Sequence, residues 1–271
     1  MSPERTVRLN RDGAIVTMTI DRETKLNALD DVTIDAILDA FDELEADDLV
    51  RAVILTGAGD QAFSAGADIA ALAKTIAGGT EQALRDFVRR GQGLTRRIEN
   101  FPKPVIAAVN GLAFGAGCEI AEAAPLALAA EHARFAKPEI TLGFPPPFGG
   151  TQRLPRHVGR KRALEMILTG EPVSAARAAE IGLVNCVVPG ANLLADAVGL
   201  AEVIIRHPAT AVSACLRAVT RGINLSIDEA LAVEAYWFVF AAATGDVARC
   251  LDRFLTRERS SHGHRLDTGS H

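Results

Sequence analysis

Twice along this chain an apolar strand runs into a stretch of small residues that opens a helix. That pattern limits the fold more than any other feature. The first stretch is Gln61-Ala62-Phe63-Ser64-Ala65-Gly66-Ala67-Asp68-Ile69, which follows a strand over residues 52–56. The second is Asn110-Gly111-Leu112-Ala113-Phe114-Gly115-Ala116-Gly117-Cys118-Glu119-Ile120, which follows a strand over 105–109. Small side chains let another molecule come close to the backbone. Amides at a strand-to-helix junction have no partner within the helix and can hold an oxyanion or a phosphate. Taken alone, the first stretch also reads as a tight structural turn.

A third strand spans 14–20, and a helix lies between it and the strand over 52–56. The apolar positions Ile34, Ile37, Leu38, Phe41 and Leu44 share one helical face, with Asp42, Glu43 and Glu45 on the wet side. A second helix is expected over 81–99, ending before Pro102 and Pro104. From about residue 191 the strand signals stop and helical periodicity continues to Arg257. The expected organisation is an α/β core over 1–195, a helical region over 196–258 and a polar, mobile tail over 259–271. At 271 residues the chain is long enough for one large domain with an appendage.

Composition narrows the function classes. The net charge is -5 and the pI about 5.7, and only 5% of residues are aromatic, which argues against nucleic-acid binding. The charged start, MSPERTVRLN, has no apolar run, and the longest uncharged apolar stretch, 123–130, is too short to span a bilayer. Cys118, Cys186, Cys215 and Cys250 are far apart, without a C-x-x-C pair, and are expected to be reduced, buried thiols. A soluble cytoplasmic protein without metal or redox cofactor is the expectation. Phosphate-loop, dinucleotide, zinc-protease and serine-hydrolase signatures are absent. His132, His157 and His207 lie in polar surroundings and read as solvated surface groups. About 47 alanines, well above average usage, show that small side chains are favoured.

Two glutamates stand out. Glu119 falls in the first turn of the helix opened by Gly115-Ala116-Gly117, where it either answers the helix dipole or is buried with a raised pKa. Glu139, in Lys137-Pro138-Glu139-Ile140, could cap a turn, pair with a surface cation or act as a catalytic acid.

Together these segments resemble the enoyl-CoA hydratase/isomerase (crotonase) family. The resemblance rests on FSAGADI (63–69), KPVIAAVNGLAFGAGCEIA (103–121), FAKPEITLGF (135–144), GGTQRLPRHVG (149–159) and LTGEPVSAARAAEIGLVN (168–185), and runs from about Ile15 to about Arg257. It implies a crotonase-like spiral of repeated ββα units with a C-terminal α-helical oligomerisation region, a homotrimer or homohexamer, and an acyl-CoA thioester as substrate, with CoA as its only cofactor-like part. It also implies oxyanion donors at the backbone of Ala67 and Ala116, and CoA contacts at Lys25, Leu26, Ala65, Ala67, Asp68, Ile69 and Ala70. Ala70 stands where the family often has lysine, so Lys74 is a candidate substitute, and Lys25 and Lys74 are the local cations expected to draw an anionic ligand to an acidic protein.

Glu119 and Glu139 match the pair of the family's hydratases, which points to a 2-enoyl-CoA hydratase. Glu119 would activate water for C3, and protonated Glu139 would supply C2. Double-bond isomerisation or a specialised hydration or dehydration is the first alternative, and a catalytically silent CoA-binding homologue the second. Two departures bear on this. In Gly143-Phe144-Pro145-Pro146-Pro147-Phe148-Gly149-Gly150-Thr151-Gln152-Arg153, Pro147 stands where a glycine amide helps hold the catalytic water, and proline has no N–H. Phe148 replaces a small residue near the acyl pocket. Ala124-Pro125 replaces the usual Cys-Asp, a change expected to bear on structure only.

Overall fold

The computed structural model describes the backbone of residues 5–266, with side chains as far as 256. The chain forms two compact units, Met1–Ile205 and Arg206–His271.

The first unit opens with an antiparallel hairpin, β1 (Val7–Asp12) and β2 (Ile15–Ile20). Helix α1 (Asp31–Ala46) follows. Asp30 caps it by accepting from the Thr33 amide at 2.9 Å, and Ile34, Ile37, Phe41 and Leu44 turn inward as expected. One supersecondary unit then recurs. β3 (Ala52–Gly57) leads to a short strand, β4 (Ala62–Ser64), and helix α2 (Ile69–Ala77). A continuous helical segment comes next: α3 (Thr80–Gln82), a π-helical stretch Ala83–Arg89 and α4 (Arg90–Glu99). In the second repeat β5 (Val105–Val109) leads to β6 (Leu112–Phe114) and α5 (Ala116–Ala123). In the third, β7 (Leu126–Ala130) leads to β8 (Arg134–Ala136) and a 3-10 turn, Pro138–Leu142. The unit closes with α6 (Gly150–Val158), α7 (Arg160–Thr169), β9 (Val173–Ser174), α8 (Ala175–Glu180), β10 (Cys186–Val188) and α9 (Leu193–Ile205).

The first strand of each repeat enters a six-stranded sheet of order β1-β2-β3-β5-β7-β10, parallel beyond the hairpin. The second enters a smaller sheet, β4-β6-β8-β9, parallel except for β9. This is the expected α/β spiral of ββα units. β3 and β5 are buried at every position, which is why they read as continuous apolar runs. The strands over 52–56 and 105–109 were visible for that reason, whereas in β2 Thr17 and Thr19 are only partly buried. β4, β6 and β8 are three residues each, too short for periodicity to register, and β7 lies in the alanine-rich stretch over 123–130.

Asn27 ties the first crossover together. It is buried at a left-handed φ of 55°. Its Nδ2 donates to the carbonyls of Ala58 (3.0 Å) and Ala62 (2.7 Å), and its Oδ1 accepts from the Arg22 amide (3.1 Å). Leu29, two residues on, bridges to Ala67.

The second unit is three helices, α10 (Ala209–Gly222), α11 (Ile227–Ala243) and α12 (Asp246–Leu266). Ser226 and Glu229 form a capping box at the start of α11, and Trp237 packs against Ala214 and Ala241. The stretch expected as a mobile tail is helical up to Leu266, and the remainder lies outside the described residues. Among the cysteines only Cys118 meets the expectation of full burial. Cys186 and Cys215 are exposed and Cys250 is intermediate, because they lie outside the packed interior, and all four are free thiols. His132, His157 and His207 are exposed, as expected.

Replacing Asn27 with Ala removes three hydrogen bonds and takes the Asn27 donor from the Ala58 and Ala62 carbonyls, the second of which keeps Asn110 Nδ2 at 3.3 Å, so we expect a loss of about 2–3 kcal/mol in urea-denaturation stability.

Candidate active site

The site is organised by Gly115. Its φ of 51° and ψ of -121° suit glycine alone, and its amide donates to the Ala136 carbonyl at 3.0 Å. That bond joins the start of α5 to the end of β8, and so brings Glu119, one turn into α5, towards Glu139, three residues past β8. A Cβ on Gly115 would lie 3.2 Å from Glu139 Oε1. Gly117 makes the other close approach, since a Cβ there would overlap the Ser64 carbonyl of β4.

Both small-residue stretches meet at a cleft of about 380 Å³. Ala65, Gly66, Ala67, Gly115 and Ala116 form its backbone wall, Glu119 and Glu139 contribute the carboxyls, and Leu142, Phe144, Pro147, Phe148 and Phe87 supply apolar surface. Leu29 donates to the Gly66 carbonyl and accepts from the Asp68 amide, both at 2.8 Å, which turns the Ala67 N–H away from that bridge. Ala116 is the first residue of α5, where an amide has no acceptor within the helix. A Cβ on Gly66 would come within 3.3 Å of the Ala116 nitrogen, so the two stretches are in direct contact.

Glu119 is fully buried. Its Oε1 accepts from the Phe148 amide (2.8 Å) and the Gly150 amide (2.7 Å), while Oε2 has no partner among the described residues. Desolvation lifts its pKa to about 7. Lys137 opposes the rise, and Glu122 and Glu139 add to it. Glu139 is also buried, with neither carboxyl oxygen partnered among the described residues. Burial raises its pKa, against the pull of Lys137. The two carboxyls thus differ in kind. Burial raises both, Glu119 to about 7; besides Lys137, two loop amides favour the charged form of Glu119, while at Glu139 only its own backbone amide does so.

The proline at 147 does not leave the loop without donors. Pro147 lines the cleft, but the amides on either side of Gly149 are the ones that turn inward, and they hold the Glu119 carboxylate itself. Phe148 is completely buried, packed against Phe87 at 4.9 Å between ring centroids with the rings tilted by 58°. A feature that sequence reasoning missed makes room for it: a Cβ on Gly91 of α4 would overlap the Phe148 ring. Thr95, one turn on, donates to the Phe148 carbonyl at 2.5 Å.

The remaining expected residues are distributed unevenly. Ala65, Ala67 and Ile69 line the cleft, whereas Lys25, Leu26, Asp68, Ala70 and Lys74 are not part of its wall. Leu26 adjoins it through its carbonyl, which accepts from the Ala65 amide at 2.9 Å. Asp68 caps α2 through the amides of Ala70 (3.1 Å) and Ala71 (3.3 Å) and pairs with Arg22 at 3.2 Å and Lys25 at 3.5 Å. Ala70 and Lys74 are exposed on α2. Two further charged residues escaped notice. Glu122 and Lys137 form a wholly buried ion pair of 2.6 Å beside the two glutamates. The available signal was charge within largely apolar strings, Glu119 and Glu122 in GCEIAEAAP and Arg134, Lys137 and Glu139 in RFAKPEI. Among the described residues no group of three His, Cys, Asp or Glu is arranged to hold a metal ion.

Fold and cleft define a chain of the crotonase class. The model of the enoyl-CoA hydratase/isomerase family matches residues 10–265, and the chain belongs to that family. It is 41% identical over 255 residues to the short-chain-enoyl-CoA hydratase of Clostridium acetobutylicum, covering 93% of this chain and 95% of that one. It is 38% identical to the crotonyl-CoA hydratase of Syntrophomonas wolfei, covering 93% and 96%. Among solved structures, an enoyl-CoA hydratase from Bacillus anthracis superposes with a TM-score of 0.87 at 34% identity, covering 93% of this chain and 97% of that one.

Gly91→Ala forces Phe148 out of its pocket and is expected to cost about 1–3 kcal/mol in denaturation stability. Its rate should fall further than the stability loss accounts for, because Phe148 carries one of the amides on Glu119.

Proposed function

We propose that the protein is a 2-enoyl-CoA hydratase acting on short-chain thioesters. The observation that carries this is one cleft holding two unlike buried carboxyls opposite two backbone junctions. The thioester oxygen would lie between the amides of Ala67 and Ala116. A 2-enoyl thioester is electrophilic at C3 only to the extent that charge arriving at this oxygen is stabilised, and one such donor contributes about 3 kcal/mol. Glu119, charged and held by two amides, uses its free Oε2 to orient water and take its proton as the water oxygen bonds to C3. Glu139, neutral, delivers a proton to C2. The product is the 3-hydroxyacyl thioester. Proton exchange with solvent then returns Glu119 to its charged and Glu139 to its neutral form. CoA enters as part of the substrate, and no separate cofactor is needed.

The aromatic wall of Phe87, Phe144 and Phe148 supports a short acyl chain, as do the names of the two relatives. Lys25 and Lys74 remain our choice for the CoA phosphates. Lys25 is 59% exposed and already leans on Asp68, so it is the better placed of the two. The second unit supports assembly into trimers or hexamers. Val219, Ile223, Ile227, Leu231, Phe238 and Phe254 are exposed apolar residues on its three helices, more than a free surface usually shows. No single helix among the described residues is long and apolar enough to cross a membrane. The unpaired cysteines support a reducing, cytoplasmic location.

Purified protein should hydrate crotonyl-CoA, read as loss of enone absorbance, and no turnover across a series of 2-enoyl chain lengths would refute the hydratase reading. Glu119→Gln and Glu139→Gln should each lower kcat by about 10²–10⁴-fold. In the wild type kcat/KM should rise with pH up to about 7 as Glu119 becomes charged, and fall again at higher pH as Glu139 loses the proton it must deliver. Lys25→Ala should raise KM for crotonyl-CoA with little change in kcat.

A further inference from the structure

Helix α5 carries a second glutamate with no part in the reaction as written. Glu122 is buried, and its Oε1 meets two groups: the Lys137 ammonium at 2.6 Å and the Cys118 thiol at 3.3 Å. Both side chains of the ion pair have no solvent exposure. A fully buried ion pair contributes little net stability, because desolvation offsets most of the attraction. Its position gives a better account of it. A Cβ built on Gly150 would lie 2.7 Å from Lys137 Nζ and 2.9 Å from Glu119 Oε1, so the ammonium and the carboxylate flank the same point. Gly150 also donates one of the two amides to Glu119. Lys137 immediately precedes Pro138-Glu139, and its backbone leads into the turn that carries the second carboxyl.

We propose that Lys137 and Glu122 are positioning residues of the active site, a buried ion pair that keeps Glu119 charged next to a neutral Glu139. The inference rests on the hydratase reading for its purpose, but not for its test.

The charged and titratable groups facing this cluster are Cys118, Glu119 and Glu122 from α5 and Lys137 and Glu139 from the segment after β8. From α6, His157 reaches only the Glu122 carbonyl, at 2.9 Å. Burial disfavours a charged Lys137, but the Glu122 carboxylate at 2.6 Å, with Glu119 beside it, outweighs that and holds the ammonium protonated. Burial keeps the Cys118 thiol protonated. Lys137 is therefore the only cation among these groups. It is also the largest influence favouring the charged form of Glu119, and Glu122 is the next opposing one after burial. The two halves of the pair act on Glu119 in opposite senses, and the net effect has the sign of Lys137.

The test follows Glu119 directly, by ¹³C NMR titration of protein labelled at the glutamate carboxyl carbon, with Glu119→Gln identifying its signal. Wild type, Lys137→Met, Glu122→Gln and the double variant Glu122→Met/Lys137→Met are compared. An opposite charge at this range moves a carboxyl by about 1–3 pH units. The Glu119 midpoint should rise by that order in Lys137→Met and fall in Glu122→Gln. In the double variant it should rise by less than in Lys137→Met. The acid limb of kcat/KM for crotonyl-CoA should move with it. A merely structural pair would lower stability and leave the midpoint where it is. An unmoved midpoint in any folded variant, or movement in the same direction in both single variants, overturns the proposal. If an unpaired buried charge prevents folding of a single variant, the double variant, which buries none of these two, decides the question alone. Absence of turnover in the wild type would count against the hydratase reading, while the NMR midpoints would still judge the pair.

Discussion

Helix α5, Ala116–Ala123, is enclosed on every side, and two of its eight residues are glutamates. Most of the structure answers that constraint. Helix α5 packs against α4, α6 and the smaller sheet, and Gly117 presses directly on β4. The carboxylate of Glu119 is tolerated only because the loop ahead of α6 turns two amides onto it. That of Glu122 is tolerated because a lysine from the next repeat reaches it. Burial of this kind is costly for charge and raises both Glu119 and Glu139, and the two loop amides on Glu119 are what distinguish them.

The repeated ββα unit supplies the geometry. Each repeat ends its second strand at the same level, so the helix after β6 and the turn after β8 begin side by side, and the Gly115 amide holds them there. Glu119 and Glu139 come from consecutive repeats rather than from one loop, which places them on packed elements. The loop over 143–150 adds the final wall, with Phe148 seated in a notch that α4 provides by having glycine at 91.

Much of this was legible beforehand, for identifiable reasons. The strands over 52–56 and 105–109 announce themselves because they are buried on both faces. The small-residue stretches stand out because nothing else in the chain is as bare. Glu119 and Glu139 were visible through their neighbours in the family's strings. Glu122 and Lys137 were not, since a charge in an apolar string reads equally well as a solvated side chain, and their partnership spans a strand and a turn. The proline at 147 looked like a missing donor because sequence does not say where a loop's other amides point.

The chain by itself determined the alternation of elements and the two bare junctions, since these depend on local pattern and side-chain size, and it singled out Glu119 and Glu139 through the strings around them. Only the tertiary structure decided which groups share one dry volume. The electrostatic character of Glu119 comes from Phe148, Gly150 and Lys137, which lie 29, 31 and 18 positions along the chain, and interactions between groups that far apart depend on packing and burial rather than on sequence pattern.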